Sequence, residues 1–283
     1  MGPRIVATKE EARRRRAEAA GTVALVPTMG ALHEGHLSLV RRARALADEV
    51  WASVFVNPTQ FGPGEDFDRY PRDLDRDLGL LSDEGVAVVF APSVEEMYRR
   101  PPVVRVSFPG LDGVLCGASR PGHFAGVGLV VTKLLSIVRP DVAVFGQKDA
   151  QQALLIRRLV EDLDLGTTIE VAPTVREPDG LALSSRNAYL SEDERRAATA
   201  LFRGLCAARE AVAGGERDPA RVAGRAAAEV RAEPLLELEY AECRRADDLA
   251  VPERIDGPVL LAVAARAGTT RLIDNLLLAP EGA

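Results

Sequence analysis

The sequence predicts an α/β protein built on a doubly wound parallel sheet and followed by a smaller α+β domain. Short runs of apolar and β-branched residues alternate with helical stretches over the first two thirds of the chain. The runs are too apolar to face water on either side, so both faces of the sheet must be covered by helices. Polar, glycine-bearing segments fall just after the runs, at the strand ends where open parallel sheets gather their ligands.

In chain order, strands are expected over 23–26, 50–56, 86–90, 142–145 and 169–171. The first is closed by Pro27, and Leu32, Leu37, Leu39 and Val40 recur behind it with helical spacing. From about Glu177 the texture changes to turn residues, Pro178-Asp179-Gly180, and then to an Ala- and Arg-rich helical stretch over 192–213. Segments 214–216 and 252–258 read as loops. Alternating polar and apolar residues over 236–243, 259–265 and 271–278 predict a small antiparallel sheet. The expected division is therefore a domain of 1–176 and a second of 177–283.

With 283 residues and 47% hydrophobic content the chain can bury the cores of two domains. A net charge of -6 supplies no diffuse attraction for nucleic acid or an anionic membrane, so any phosphate binding must be local. Cys116, Cys206 and Cys243 are odd in number, far apart and without C-x-x-C spacing, which argues against a disulfide framework or a zinc site. No apolar run approaches the roughly 20 residues of a membrane span, and no signal-peptide core follows the Arg13 to Arg16 run. A cytoplasmic, unprocessed protein is expected, with neither nucleic acid nor membrane as partner.

The segment Pro27-Thr28-Met29-Gly30-Ala31-Leu32-His33-Glu34-Gly35-His36 is a strand-to-helix turn. Its unpaired backbone N–H groups and the helix dipole are expected to face an incoming phosphate, with Gly30 allowing close approach. His33 and His36, three apart, would share one helix face. A helix N-terminus disfavours imidazolium, so both rings are read as neutral N–H donors to phosphate oxygens. The competing readings are a plain helix cap or a structural metal, but H-x-x-H without a third ligand is a weak zinc signal. After 50–56 come Asn57 and Gln60. Together with Gln152 they are neutral amides suited to a substrate carrying hydroxyl and amide-like groups. After 142–145, Gly146-Gln147-Lys148-Asp149 can aim an ammonium at phosphates while the carboxylate takes a ribose hydroxyl or orients the lysine. Placement at a third strand end of one sheet weighs against a mere surface ion pair. Ser184-Ser185-Arg186 fits a mobile phosphate clamp and a simple helix cap equally. Asp73, Asp75 and Asp77 could hold Mg2+ with substrate phosphates, and an exposed helix explains them as well.

Taken in order, the segments 27–36, 55–62, Arg120-Pro-Gly-His-Phe124, Phe145-Gly-Gln-Lys-Asp149 and Leu183-Ser-Ser-Arg-Asn187 resemble the pantoate–β-alanine ligase family. The resemblance spans most of the chain and implies a Rossmann-like sheet of the nucleotidyltransferase superfamily. It implies a two-step reaction: pantoate attacks the α-phosphate of ATP to give pantoyl adenylate and pyrophosphate, and β-alanine then displaces AMP. By this likeness Met29, Gly30, Ala31, Leu32, His33, Glu34, Gly35 and His36 line ATP, as do Gly146, Gln147, Lys148, Asp149, Val175, Leu183, Ser184, Ser185 and Arg186. His36 matches the residue usually assigned as proton donor, His33 and Lys148 hold phosphate oxygens, and Gln60 and Gln152 match the pantoate positions, Gln60 also bordering the β-alanine path. Mg2+ is implied with ATP, its protein ligands unassigned, and so is a homodimer. Position 183 is Leu where the family commonly has Met, a volume-conserving exchange. The second domain is the natural lid over a hydrolysis-prone adenylate. Rival readings are a nucleotidylyltransferase acting on a phosphorylated acceptor, which should carry Arg or Lys at 60 and 152, and a noncatalytic nucleotide-binding module.

Overall fold

The computed structural model describes residues 2–280. In chain order the elements are β1 Arg4–Val6, α1 Lys9–Glu18, β2 Val23–Thr28, α2 Glu34–Arg44, β3 Glu49–Val54, α3 Leu74–Asp83, β4 Val88–Phe90, α4 Val94–Met97, α5 Cys116–Ser119, α6 His123–Val138, β5 Val142–Gly146, α7 Ala150–Asp162 and β6 Thr168–Ala172. There follow α8 Glu192–Ala197, α9 Ala200–Ala213, α10 Pro219–Arg231, β7 Leu236–Arg245, β8 Val259–Ala267 and β9 Thr270–Leu278. Two compact units emerge. Unit 1 takes the chain up to Gly113, Gly117–Gln147 and Gln151–Pro173; unit 2 takes Val114–Cys116, Lys148–Ala150 and the chain from Thr174.

Unit 1 is a parallel sheet in the order β1-β4-β3-β2-β5-β6. Its central strands are apolar because both faces are covered: Val23, Ala24, Leu25 and Val26 are fully buried. Val26, Ala52, Val89 and Val144 share a core with Leu39, Val40 and Ala43 of α2 and Leu81 of α3. Winding runs from β2 to β3 and β4 on one side and to β5 and β6 on the other, so the topological switch lies between β2 and β5.

One strand differs from expectation in an informative way. β2 does not stop at Pro27 but runs on to Thr28, paired with β3 throughout, whereas its pairing with β5 ends at Leu25. The carbonyl of Val23 accepts from Asp141 on the β5 side. Residues alternate sides along a strand, so Pro27 lacks its N–H on that same side. Proline thus ends one ladder, spares the other, and opens the sheet at the switch point.

In unit 2 the antiparallel sheet β7-β8-β9 carries a bulge between Leu238 and Tyr240. Leu261, Val263 and Ala265 of β8 pack with Leu201 and Leu205 of α9 and Val222, Ala226 and Val230 of α10. The helical stretch expected over 192–213 is interrupted at Ala198 and Thr199. Among the described residues, no helix is long and apolar enough to cross a membrane.

Candidate active site

The loop after β2 is the first part of the site, and its backbone donors are spent within unit 1. Gly30 donates to Thr28 Oγ1 at 3.2 Å, and that hydroxyl donates to the Ser53 carbonyl at 2.7 Å. Ala31 and Leu32 donate to the two carboxylate oxygens of Asp77 at 2.9 and 2.8 Å. The His33 N–H reaches His36 Nδ1 at 3.4 Å, and the Gly35 N–H reaches His33 Nδ1 at 3.1 Å. Unpaired N–H groups facing a phosphate are therefore not what this loop offers at Gly30, Ala31 or Leu32. Gly30 and Leu32 are buried, and buried donors need partners inside the protein. Glycine at 30 answers the same clamp: its φ is +80°, and a Cβ there would lie 2.8 Å from Asp77 Oδ2.

His33 is the N-cap of α2, and its ring lies beside that of His36 with centroids 4.1 Å apart. Capping and ligand chemistry, posed as alternatives from sequence, are compatible. A ring nitrogen that accepts an N–H carries no proton, so in a neutral imidazole the proton sits on the other nitrogen. Both rings accept through Nδ1 and are thereby set to donate through Nε2. Glu34 pairs with Arg41, which also pairs with Glu84, so its carboxylate is committed to the helix surface.

The turn after β3 is the second part. Asn57, only 1% exposed, accepts from Thr59 N at 3.3 Å, Thr59 Oγ1 at 2.9 Å and Tyr98 Oη at 2.8 Å. Its amide donates to Gln60 Oε1 at 3.0 Å and to the Gly126 carbonyl at 3.2 Å. Asn57, expected at the substrate, instead holds Gln60, because every polar atom of its amide is engaged inside the protein. Gln60 Nε2 in turn points at Met29 Sδ, 3.1 Å away, which joins the first two clusters. Gly126 permits this packing, since a Cβ there would fall 2.1 Å from the Thr59 carbonyl.

Arg120 and His123 brace the same turn from the start of α6. His123 Nδ1 lies 2.8 Å from the Gln60 carbonyl and Nε2 lies 3.0 Å from Arg120 Nη1, which fits a neutral ring donating to the carbonyl and accepting from the guanidinium. Arg120 also grips Glu65 with two bonds of 2.7 and 2.6 Å. Burial alone would push the Glu65 carboxyl up, but this guanidinium prevails and holds it at about 2. Gln152 is half-buried in the first turn of α7, and the Gly146 and Gln147 backbone leaves β5 just before it.

Unit 2 holds the remaining candidates. Lys148 is 22% exposed, with Nζ 3.9 Å from Asp149. Its carbonyl accepts from the buried Asn275 amide at 2.9 Å, which fastens the lysine segment to β9. Next to Asn275, Asp274 takes two bonds from Arg176 at 2.5 and 2.9 Å; burial pushes its carboxyl up and Arg176 opposes this. Leu183 N–H donates to the Val175 carbonyl at 3.0 Å, so these two residues face each other across the turn at Pro178-Asp179-Gly180. Ser184 caps a short 3₁₀ turn, accepting from Arg186 N–H at 3.3 Å. The cap reading of this segment is thus realised, with Ser185 and Arg186 half-buried on the turn.

Sequence reasoning missed Tyr98 and Asn275, assigned no role to Arg120 or His123, and offered Asp77 only as a Mg2+ holder or part of an exposed helix, whereas it is buried and holds the Ala31 and Leu32 N–H groups. Asp77 had one usable signal: it stands four residues before the fully buried Leu81 and so falls on the apolar face of α3. An acid there cannot be a solvated surface charge.

A family model described as pantoate-beta-alanine ligase matches residues 4–277. A pantothenate synthetase of Roseiflexus castenholzii is 56% identical over 277 residues, covering 97% of this chain and 99% of its own. The pantothenate synthetase of Carboxydothermus hydrogenoformans is 54% identical over 257 residues, covering 90% and 91%. Among solved structures, the pantothenate synthetase of Thermus thermophilus superposes with a TM-score of 0.94 at 46% identity, covering 98% of this chain and 100% of that one. The pantoate-beta-alanine ligase of Francisella tularensis, complexed with β,γ-ATP and β-alanine, superposes at 0.81 with 33% identity and 97% of each chain covered.

Proposed function

The chain belongs to the pantoate-beta-alanine ligase family, and from that premise we propose that His33, His36 and Lys148 stabilise the charge that develops on the phosphates during adenylation. The reaction is the ATP-dependent joining of pantoate and β-alanine to give pantothenate.

In the first half-reaction a pantoate carboxylate oxygen attacks the α-phosphorus of ATP, the bond to the β-phosphate oxygen breaks, and pyrophosphate leaves. The carboxylate is itself the nucleophile, so the protein need supply only position and charge. The observation that carries this reading is that both histidines accept backbone N–H groups through Nδ1. Each is thereby a neutral Nε2–H donor, able to bond a phosphate oxygen without giving up its proton. "Proton donor" overstates what His36 must do, because departing pyrophosphate requires no net proton transfer. Lys148 adds a full positive charge, fixed at its backbone by Asn275.

Gln60 and Gln152 hold pantoate, with Asn57 acting through Gln60 as a positioning residue. Neutral amides at these positions disfavour a phosphorylated acceptor. Gly146, Gln147, Asp149, Val175, Leu183 and the Ser184 to Arg186 turn complete the ATP contacts, the last as a clamp on phosphate. In the second half-reaction the β-alanine amine attacks the acyl carbonyl and AMP departs. Mg2+ bound with ATP would supply neutralising charge at the phosphates. Among the described residues no three His, Cys, Asp or Glu side chains gather as a cage, and both Asp77 oxygens take backbone N–H groups. This donor set fits an ion carried by phosphate oxygens and water. A cytoplasmic homodimer is the assembly and location that the family likeness supports.

The test is ATP–pyrophosphate exchange with Mg2+ before any β-alanine is added. Exchange that requires pantoate is the expected result. Exchange without pantoate, or none while ATP still binds, would overturn the reading.

A further inference from the structure

We infer that Asp77, assisted by Arg76, is a positioning residue for adenylation: it locks the loop that aims His33 and His36. The inference rests on the histidine roles proposed above and extends them to a residue that touches no substrate.

The loop needs a lock. Gly30 and Ala31 both take positive φ, +80° and +52°. For the alanine this conformation is uphill by about 1–2 kcal/mol and persists only where neighbours enforce it. Asp77 enforces it with one carboxylate oxygen on each of Ala31 N–H and Leu32 N–H, at 2.9 and 2.8 Å. Arg76 Nη1 takes the Leu32 carbonyl at 3.0 Å, so the first turns of α3 grip successive groups of the loop. One residue on, His33 starts α2 as its N-cap, and its Nδ1 is committed only while the chain enters the helix at this angle. Asp77 is 1% exposed, so water cannot take its place.

Asparagine is the informative replacement. It keeps the size and offers one acceptor oxygen, while its amide NH2 would face a backbone N–H, so both donors cannot be satisfied. In Asp77→Asn the turnover of pantoate-dependent exchange should fall about 10- to 100-fold, with KM for pantoate within about threefold, since misplaced groups cost rate more than binding. Ring-nitrogen NMR of the histidines gives a readout independent of activity. Wild type should show Nε2-protonated rings at His33 and His36, and the variant a mixture of tautomers. A folded Asp77→Asn protein with turnover within threefold of wild type, or with both tautomers unchanged, overturns the inference. If wild type itself lacks pantoate-dependent exchange, the proposed histidine roles fail, and the tautomer comparison alone then decides for or against the lock. Should Asp77→Asn not fold, Arg76→Ala replaces it, because that side chain is 55% exposed and safe to truncate. There a 3- to 10-fold loss of turnover at unchanged KM supports the lock, and unchanged turnover refutes it.

Discussion

Truncating Asn57 to alanine separates a positioning role from a structural one. Five hydrogen bonds between 2.8 and 3.3 Å end on its amide. Thr59 Oγ1 keeps other partners in the Gly126 carbonyl and Tyr98 Oη, each at 3.4 Å. Gln60 Oε1, Thr59 N–H and the Gly126 carbonyl lose a bond outright, and Tyr98 loses its short one. At roughly 0.5–1.5 kcal/mol for each of the four lost bonds, stability should drop by about 2–6 kcal/mol. That corresponds to a fall in Tm of roughly 5–20 °C. Gln60 is then free to turn its amide over, so kcat/KM for pantoate should fall about 10- to 100-fold while KM for ATP changes little. The assay pairs a thermal melt with steady-state release of AMP at varied pantoate. A lowered Tm with kcat/KM for pantoate unchanged would mean that Asn57 holds the fold and not the substrate amide.

His36→Ala should reduce turnover in the exchange reaction roughly 100- to 1,000-fold, the usual loss on removing one donor from developing charge, with a much smaller effect on pantoate binding. Equal losses in both would assign His36 to uniform binding. Gly180→Ala places a Cβ 2.1 Å from the Phe202 ring at a φ of +95° and should destabilise by about 2–4 kcal/mol in denaturant titration; a change under about 0.5 kcal/mol would show that the ring simply moves aside. Acid stability should depend on Glu65. Its carboxyl is lowered from an ordinary 4.5 to about 2 in the fold, so its stabilisation is present above pH 4.5 and is lost as pH falls from there towards 2. Glu65→Gln should flatten the pH dependence of Tm in that window, and an unaltered slope would deny the Arg120 pairing its role.

The strands of unit 1 were legible because a strand buried on both faces has to be uniformly apolar, as 23–26 is. β1 was not: it is three residues long with Arg4 and Ile5 exposed, and only Val6 carries a burial signal. The break in the 192–213 stretch was hidden by alanine, which favours helix on both sides of it. Strand-end clusters named most of the candidate chemistry, since topology alone puts such residues at the sheet edge. What stayed hidden were contacts between segments distant in sequence. Asp77 meets its loop across more than 40 residues and Asn275 meets Lys148 across more than 120, and no local pattern records either meeting. Position also misled in one direction. Asn57 stands at a strand end like Gln60, yet it faces inward, because the turn at Pro58–Gln60 uses its side chain as a cap.

The most direct test of direct carboxylate attack follows the oxygen. Pantoate labelled with heavy oxygen in its carboxylate is turned over with ATP and β-alanine, and the AMP is analysed by mass spectrometry. One labelled oxygen should be carried into AMP at each turnover, because the amine cleaves the acyl carbon's bond to that oxygen. Unlabelled AMP, or label appearing in the pyrophosphate, would contradict direct carboxylate attack.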